Sequence, residues 1–366
     1  MEILANREHL APLLTRVAGV VERKQTLPIL GNLLLRGYNN SLEVVGTDME
    51  VEVRAKIEAE IVEPGETTVP ARKLTDICRT LSEGIDVKLK LHGDRCVVTA
   101  GRGRYVLGTL PAQDFPALEA DVGPSRLVLE ESALKRIFEK TAFAMAQQDV
   151  RYYLNGLYLQ LDASGIRAVS TDGHRLACFD YPCESGVDTP VGVIVPHKTV
   201  SELRRQLSSI SSPVRIEIGE RAIRFELEHT VVTSKLVDGR YPDYQRVIPA
   251  ELNRVARADK ETLRRVLGRT AILSNEKYRG VRLAFEPGVL RLQAHNPEQE
   301  EAVEEMELTY EGEEAMIGFN VAYLNDVLNV IEGDEVEVRF QDGNSSSIWR
   351  GADSAVETYV VMPMRL

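Results

Sequence analysis

LLLRGYNNSLEVVGTDMEVEV, residues Leu33–Val53, reads as a strand, a tight turn at Asn39-Asn40-Ser41, a second strand and a third. The same plan recurs in GLYLQLDASGIRAVSTDGHRLACF, Gly156–Phe179, and in GVRLAFEPGVLRLQAHNPEQEEA, Gly280–Ala302. Thr47-Asp48, Thr171-Asp172 and His295-Asn296 fall at corresponding points, each step 124 residues long. Self-similarity at a fixed period is the mark of repeated structural units. A second element repeats in register. ARKLTDICRTL follows Pro70, HKTVSELRRQL follows Pro196, and FNVAYLNDVLNVI follows Gly318. Their apolar positions are Leu74, Ile77 and Leu81, then Val200, Leu203 and Leu207, then Leu324, Val327 and Ile331. That spacing is the stripe of an amphipathic helix.

Each repeat also opens on a short apolar strand and a helix. The strands are Ile3-Leu4, Leu127-Val128-Leu129 and Val255-Ala256. The helices carry Leu10, Leu13, Leu14, Val17 and Val21, then Leu134, Ile137, Phe138 and Met145, then Leu263, Val266 and Leu267. The fold class expected is α+β: three homologous domains, 1–121, 122–244 and 245–366, each with two helices packed on mostly antiparallel sheets. The copies differ in one place. Thr141 to Gly156 is longer than Thr270 to Gly280, and the extra segment Gln147-Gln148-Asp149-Val150-Arg151-Tyr152-Tyr153 belongs to the middle copy alone. Such asymmetry points to a specific function there.

The net charge of −12 argues, taken whole, against nucleic-acid binding, which leaves a basic footprint. Its distribution reverses that argument. Five of the six helical windows are neutral or basic, while strands and loops are strongly acidic. Helices tolerate Lys and Arg well, so some bias is expected in any case. A basic helical face opposed to an acidic sheet face would bind phosphates without reading sequence and repel DNA elsewhere. On that reading Arg23, Lys24, Arg72, Lys73, Arg79, Lys198, Arg204 and Arg205 face DNA.

Enzyme chemistry finds little support. Thr171-Asp172-Gly173-His174-Arg175 places an Asp beside a His, which would suit a hydrolase. The other copies hold Thr47-Asp48-Met49-Glu50 and His295-Asn296-Pro297-Glu298, so no catalytic set repeats. The competing reading is a strand–turn–strand corner with Asp172 bonded to the turn backbone. No metal-binding spacing and no phosphate-binding Gly-rich loop occur, so no metal and no cofactor are expected. Arg102-Gly103-Arg104 reads equally as a solvated hairpin tip or a phosphate contact. The four cysteines, Cys78, Cys96, Cys178 and Cys183, form no C-x-x-C pair and read as reduced and mostly buried thiols. The start, Met1-Glu2-Ile3-Leu4, lacks a signal-peptide layout, and no apolar run approaches the roughly 18 residues of a membrane span. A cytoplasmic protein with no membrane contact is expected.

Several segments resemble the bacterial DNA polymerase III beta subunit family, the sliding clamps: TLPILGNLLL (26–35), TTVPARKLTDICR (67–79), QDVRYYLNG (148–156), TDGHRLA (171–177), SKLVDGRYPDY (234–244), AILSNEKYRGVRL (271–283), NPEQEEA (296–302) and YVVMPMRL (359–366). The likeness covers the whole chain. Two positions depart from the family pattern: Val303 interrupts an acidic run, and Asn344 stands beside the expected pocket. The resemblance implies a DNA polymerase processivity factor, not an enzyme. It implies a head-to-tail homodimer that encircles double-stranded DNA without sequence specificity and slides on it. Helices set side by side at about 10 Å each, two per domain and three domains per chain, would close a hole roughly 40 Å across. The implied dimer joins the first domain of one chain to the third of the other, with Tyr105 and Leu107 meeting Ile272 and Leu273.

The resemblance also implies a groove between the middle and last domains that takes short peptides. Their sources would be the DNA polymerase III core and other polymerases, the clamp loader, and mismatch-repair and ligase proteins. Its residues match here at Leu154, Thr171, Gly173, His174, Arg175, Leu176, Pro242, Arg246, Val247, Tyr323, Ser346, Val360, Val361, Met362, Pro363, Met364 and Arg365.

Overall fold

The computed structural model describes residues 1–22, 27–118, 123, 125–187 and 189–365. The first repeat runs β1 (Glu2–Asn6), α1 (Arg7–Ala18), β2 (Asn32–Tyr38), β3 (Ser41–Thr47), β4 (Val51–Glu58), β5 (Glu60–Glu63), β6 (Gly65–Pro70), α2 (Ala71–Thr80), β7 (Asp86–His92), β8 (Arg95–Ala100) and β9 (Gly103–Gly108). The second runs β10 (Ser125–Glu130), α3 (Glu131–Thr141), β11 (Gly156–Asp162), β12 (Gly165–Thr171), β13 (Arg175–Pro182), β14 (Val191–Pro196), α4 (His197–Gln206), β15 (Pro213–Ile218), β16 (Ala222–Glu226) and β17 (Thr230–Lys235). The third runs β18 (Arg254–Asp259), α5 (Lys260–Ala271), β19 (Gly280–Glu286), β20 (Val289–His295), β21 (Glu301–Glu307), β22 (Ala315–Asn320), α6 (Val321–Val330), β23 (Glu335–Phe340), β24 (Ser347–Gly351) and β25 (Glu357–Val361). The strand–helix plan thus repeats three times. The β2–β3 turn holds Asn39 and Asn40 at φ 49° and 56°, the left-handed pair that a two-residue hairpin requires.

The chain divides into two compact units, Met1–Lys135 with Lys198–Leu236, and Arg136–His197 with Val237–Leu366. The first contains a sheet ordered β5-β1-β7-β8-β9 and an eight-stranded sheet β10-β15-β16-β17-β4-β3-β2-β6. The second contains β14-β11-β12-β13-β25-β24-β23-β18 and β21-β20-β19-β22. Every strand pairing among the described residues is antiparallel. Each eight-stranded sheet is continuous across two repeats. In the first unit β4 pairs with β17, Glu52 opposite Thr233. In the second β13 pairs with β25, Leu176 opposite Val360. The strands equivalent to these junction strands, β9 of the first repeat and β21 of the third, end their sheets, each with one unpaired side.

The helices bury the stripes expected of them, with one change of phase. On α2 the buried residues are Ala71, Leu74, Thr75 and Cys78, while Ile77 and Leu81 are only half-buried. Cys78 lies four residues after Leu74, one helical turn on, so the small thiol takes the place expected of Ile77. Burial pushes that thiol up to about 12 and the Cys96 thiol up to about 11. All four cysteines are unpaired.

In the second unit the core centres on Trp349, Tyr359, Phe319, Phe285 and Phe340, with Phe319 edge-on to Trp349 at 5.8 Å. A buried ion pair crosses between repeats there. Lys140 on α3 reaches Glu357 on β25 at 3.0 Å, with side chains 5% and 2% exposed. Glu357 also accepts from the Tyr359 hydroxyl and the Gly351 amide. These extra bonds matter, because a buried pair recovers its desolvation cost only when its remaining polar atoms are satisfied.

Glu337 on β23 is 1% exposed and accepts from Arg257, Arg339 and Arg350 at 2.7–2.9 Å. Burial pushes its carboxyl up, but the hydrogen bonds to Arg339, Arg350 and Arg257 outweigh that and hold it at about 2. Because the folded value lies below the unfolded one, its stabilisation is complete above the unfolded value of about 4.3. It is lost as pH falls toward about 2. Glu337→Gln is expected to cost on the order of 2 kcal/mol at pH 7, since the arginines are partly hydrated. Melting curves of both proteins from pH 7 to 3 check this: the gap should narrow as pH falls. A gap independent of pH would contradict it.

Candidate functional site

Side-chain alternation along β25 places neighbours on opposite faces of its sheet. Tyr359 and Val361 enter the large core. Val360, between them, enters a smaller cluster with Leu154, Leu176, Val169, Cys178, Ile194, Tyr241 and Tyr244. The segment after β17 covers this second face. Its Tyr241 stacks on Tyr158 at 4.9 Å and 9°, and Val237, Val247 and Ile248 pack at the margin. Leu154, Leu176 and Val360 are 3%, 1% and 0% exposed, so they form a floor. Val361 faces the large core instead. Pro242 and Arg246 are exposed above the floor, Val247 is half-buried, and Ser346 is half-buried just before β24.

The second half of the site is built on the corner after β12. Asp172 accepts from the His174 and Arg175 amides at 2.9 and 3.0 Å, and Gly173 sits at φ +89°. A Cβ there would lie 3.0 Å from the flexible end of Arg151, so it is the positive φ that favours glycine, although Met49 holds φ 76° at the same corner of the first repeat. Thr171 closes the corner by donating to the Arg175 carbonyl at 2.6 Å. The other Asp172 oxygen accepts from Arg175, so the carboxylate serves the turn and its arginine, not the His174 ring. His174 is exposed, and its ring lies 6.2 Å from that of Tyr323 on α6.

Arg175 is mostly enclosed. It lies between the Phe143 and Tyr323 rings at 5.3 and 4.5 Å and bonds to Asp326 and the Phe143 carbonyl. It therefore fixes the Tyr323 ring and has few donors left for a ligand. The C-terminal strap crosses between the two halves. The Met362 amide donates to the His174 carbonyl at 3.0 Å and the Met364 amide to the Gly318 carbonyl at 2.7 Å. Met362 is 36% exposed, Pro363 and Met364 are half-buried, and Arg365 is exposed. Asn344 turns outward in the β23–β24 loop, where its amide donates to Asp342.

The corresponding position in the first unit lacks this apolar floor. By strand register Glu52 stands where Leu176 does, and Thr233 where Val360 does. Glu52 pairs with Arg54 and accepts from the Leu118 amide. One repeat junction is thus dressed for apolar side chains and the other for polar ones. Tyr152, Tyr153, Tyr241 and Tyr244 belong to the site but were not singled out from the sequence, although the middle-copy insert and the SKLVDGRYPDY segment contain them.

The basic helical faces divide into free and engaged cations. Arg72, Lys73 and Arg79 on α2 and Arg204 on α4 are exposed, with no ion pair among the described residues. Lys198 differs from expectation: it is half-buried and paired with Glu22 and Asp48. Arg205 is paired with Glu202. Arg23 and Lys24 lie outside the described residues. Arg16, on the exposed face of α1, joins the free set.

The four proposed junction residues are also unequal. Ile272 is 76% and Tyr105 38% exposed, Leu273 is half-buried, and Leu107 is 7% exposed within its own unit. Val106 on β9 and Val303 on β21, 47% and 52% exposed, complete an apolar trim on the two edge strands. Among the described residues no group of three or more His, Cys, Asp or Glu could hold a metal ion.

Three family models match in sequence: the N-terminal, central and C-terminal domains of the DNA polymerase III beta subunit, over residues 1–119, 128–243 and 245–365. The chain is 48% identical over 367 residues to the beta sliding clamp of Pseudomonas putida and 46% identical to that of Escherichia coli K12, each covering both chains fully. Among solved structures, a DNA polymerase sliding clamp of Pseudomonas aeruginosa with ligand matches with a TM-score of 0.96 at 46% identity, over the full length of both chains. The Caulobacter crescentus polymerase III beta structure matches with a TM-score of 0.95 at 40% identity, again over both full lengths. A Pseudomonas aeruginosa sliding clamp bound to griselimycin matches with a TM-score of 0.96 at 47% identity.

Proposed function

Because the chain belongs to the DNA polymerase III beta subunit family, the sliding clamps that act as non-catalytic processivity factors in DNA replication, we propose that two copies close head to tail around duplex DNA. On this reading the domains are 1–121, 122–244 and 245–366. The ring tethers the polymerase III core and other polymerases, the clamp loader, and mismatch-repair and ligase proteins through the Leu176–Val360–Met362 groove. It works in the cytoplasm.

One observation carries the closure. β4·β17 and β13·β25 join successive repeats through equivalent strands, and the third such pair has no partner within the chain: β21 and β9 are left as edges. Extending the register of the first two junctions sets Tyr105 opposite Ala302 and Arg104 opposite Val303 of a second copy. Arg104 then stands diagonally between Glu301 and Glu305, which suits cross-strand ion pairing. Arg102-Gly103-Arg104 becomes a junction element on this reading. A head-to-tail contact makes a ring when its rotation closes and a filament when it does not.

Arg104→Cys combined with Val303→Cys tests the register, since directly opposed Cβ atoms lie within about 4.5–5.5 Å, close to what a disulfide spans. Oxidation is expected to give a covalent dimer on denaturing electrophoresis, while each single variant stays monomeric there. A monomer from the double variant would contradict the proposed pairing.

The DNA-facing role rests on Arg72, Lys73, Arg79 and Arg204, with Arg23, Lys24, Lys198 and Arg205 as further proposed contacts. Neutralising Arg72, Lys73, Arg79 and Arg204 is expected to weaken DNA association and flatten its log–log salt dependence by about 0.9 for each phosphate no longer neutralised. Binding isotherms from 50 to 200 mM salt, in roughly that range, read the slope. An unchanged slope would count against these helices as the DNA wall.

A further inference from the structure

We infer that Arg265 on α5 of one copy pairs with Glu83, just past α2, of the next copy, so that an ion pair between helices selects the second chain from the helical side of each ring junction. The inference rests on the head-to-tail reading above and extends it from the edge strands to the helices.

The chain carries its own templates for that contact. Aligning the opening helices on Leu10, Leu134 and Leu263 sets Pro12, Arg136 and Arg265 at one position, with Arg16, Lys140 and Arg269 one turn later. Aligning the second helices on Leu74, Val200 and Leu324 sets Ser82, Ser208 and Glu332 together beyond their ends. Where β13 joins β25, Arg136 holds Glu332 through two bonds of 3.0 and 2.7 Å, and Lys140 adds a contact at 3.2 Å. Where β4 joins β17, α1 also meets α4: a Cβ on Gly19 would run into the Arg205 guanidinium and the Glu202 carboxylate. There the two aligned positions hold Pro12 and Ser208, and neither is charged. The charges are thus present together or absent together, as expected of positions that touch across a junction.

The ring junction carries the charged version. Arg265 is exposed, donates to the Thr262 hydroxyl at 3.3 Å and has no ion pair among the described residues. Arg269 is already held by Glu304 on β21, at 2.6 and 2.7 Å. Glu83 is exposed and has no ion pair among the described residues. It stands one place beyond the alignment because Leu81–Ile85, which leads to β7, is one residue longer than Ile331–Asp334. The negative end of the α2 dipole lies beside it and favours a cation at the same spot. The apolar part of the junction continues the likeness. Phe143 lies 5.8 Å from the Tyr359 ring of the next repeat, and Ile272 is its counterpart at the end of α5.

Sedimentation of the full-length protein over a dilution series tests the pair. At about 0.1 M salt, where the screening length is about 10 Å, Arg265→Glu and Glu83→Arg should each raise the dimer dissociation constant about tenfold. An exposed pair contributes little by itself, but it is reversed at both junctions of the ring. R265E combined with E83R should recover most of that loss. At about 1 M salt, where screening falls to about 3 Å, the single variants should approach the parent protein. Both side chains are exposed, so melting temperatures are expected to stay level. If the single reversals leave the dimer unchanged, or the combination is no tighter than either, the pair is wrong and the sheet-edge junction stands. If the parent protein forms no dimer, the head-to-tail reading fails and takes this inference with it.

Discussion

Replacing Ile272 and Leu273 together by alanine is expected to give a folded monomer. Ile272 is 76% exposed in the free chain, so its loss costs the fold little. An Ile or Leu truncated to Ala loses three carbons, and each buried methylene contributes about 0.8 kcal/mol. Full burial would place the loss near 5 kcal/mol at a junction. Leu273 is already half-buried in its own unit, so about 3 kcal/mol is a more realistic value, and a ring has two junctions. A loss of that size at each raises the dissociation constant by a factor on the order of 10⁴. Sedimentation at micromolar protein reads the outcome, with the melting curve as a check on the fold. An undisturbed dimer would remove these side chains from the junction. Leu107 is a poorer target, because at 7% exposure its truncation would leave a cavity in its own unit.

Deleting Met362 to Leu366 is expected to abolish peptide binding while leaving fold and dimer intact. The last strand, β25, ends at Val361, so its pairing with β13 and β24 is untouched. The strap is tied down through the Met362 and Met364 amides, bonded to His174 and Gly318. Melting should therefore shift only slightly. Met362 and Met364 are unbranched and adaptable, which suits a surface that serves several peptides. An apolar peptide residue gains roughly 1.5–3 kcal/mol when fully buried, so losing the walls for two such residues weakens binding by at least a factor of ~100. Titration of a labelled peptide against both proteins measures this. Equal affinity would place the groove elsewhere. Unfolding would mean that the strap belongs to the core.

The threefold repeat was legible because its signals are local. A helical stripe, a corner Asp followed by a left-handed residue, and a hairpin at Asn39-Asn40 are each written within a few residues. The corner reading of Asp172 survives in detail: its carboxylate accepts two turn amides, as Asp48 does in the first repeat. The groove residues came from motif likeness. Which of them form floor and which form rim depends on strand alternation around Val360, which needs the pairing of β13 with β25.

Long-range charge pairing was not legible. Lys198 reads as a free cation beside Arg204, but its partners Glu22 and Asp48 stand some 150 residues or more away in the chain. Arg175 reads as a ligand contact, yet Asp326 and two aromatic rings enclose it. The edge strands were hidden for the same reason. Val106 and Val303 look like ordinary strand residues until the sheet order leaves β9 and β21 with one unpaired side each. Val303, which interrupts an acidic run in sequence, is then the apolar residue set opposite Arg104 in the proposed register.

The central claim is that the protein holds DNA by enclosing it. Retention of the oxidised Arg104→Cys, Val303→Cys dimer tests this most directly, after loading in the reduced state onto closed circular plasmid by a clamp loader with ATP. At 1 M salt the screening length is about 3 Å, which removes non-specific phosphate contacts and leaves a topological link intact. The protein should co-elute with the circle on gel filtration and be released when one cut linearises the plasmid. Equal retention on circular and linear DNA, or loss from both, would contradict the account.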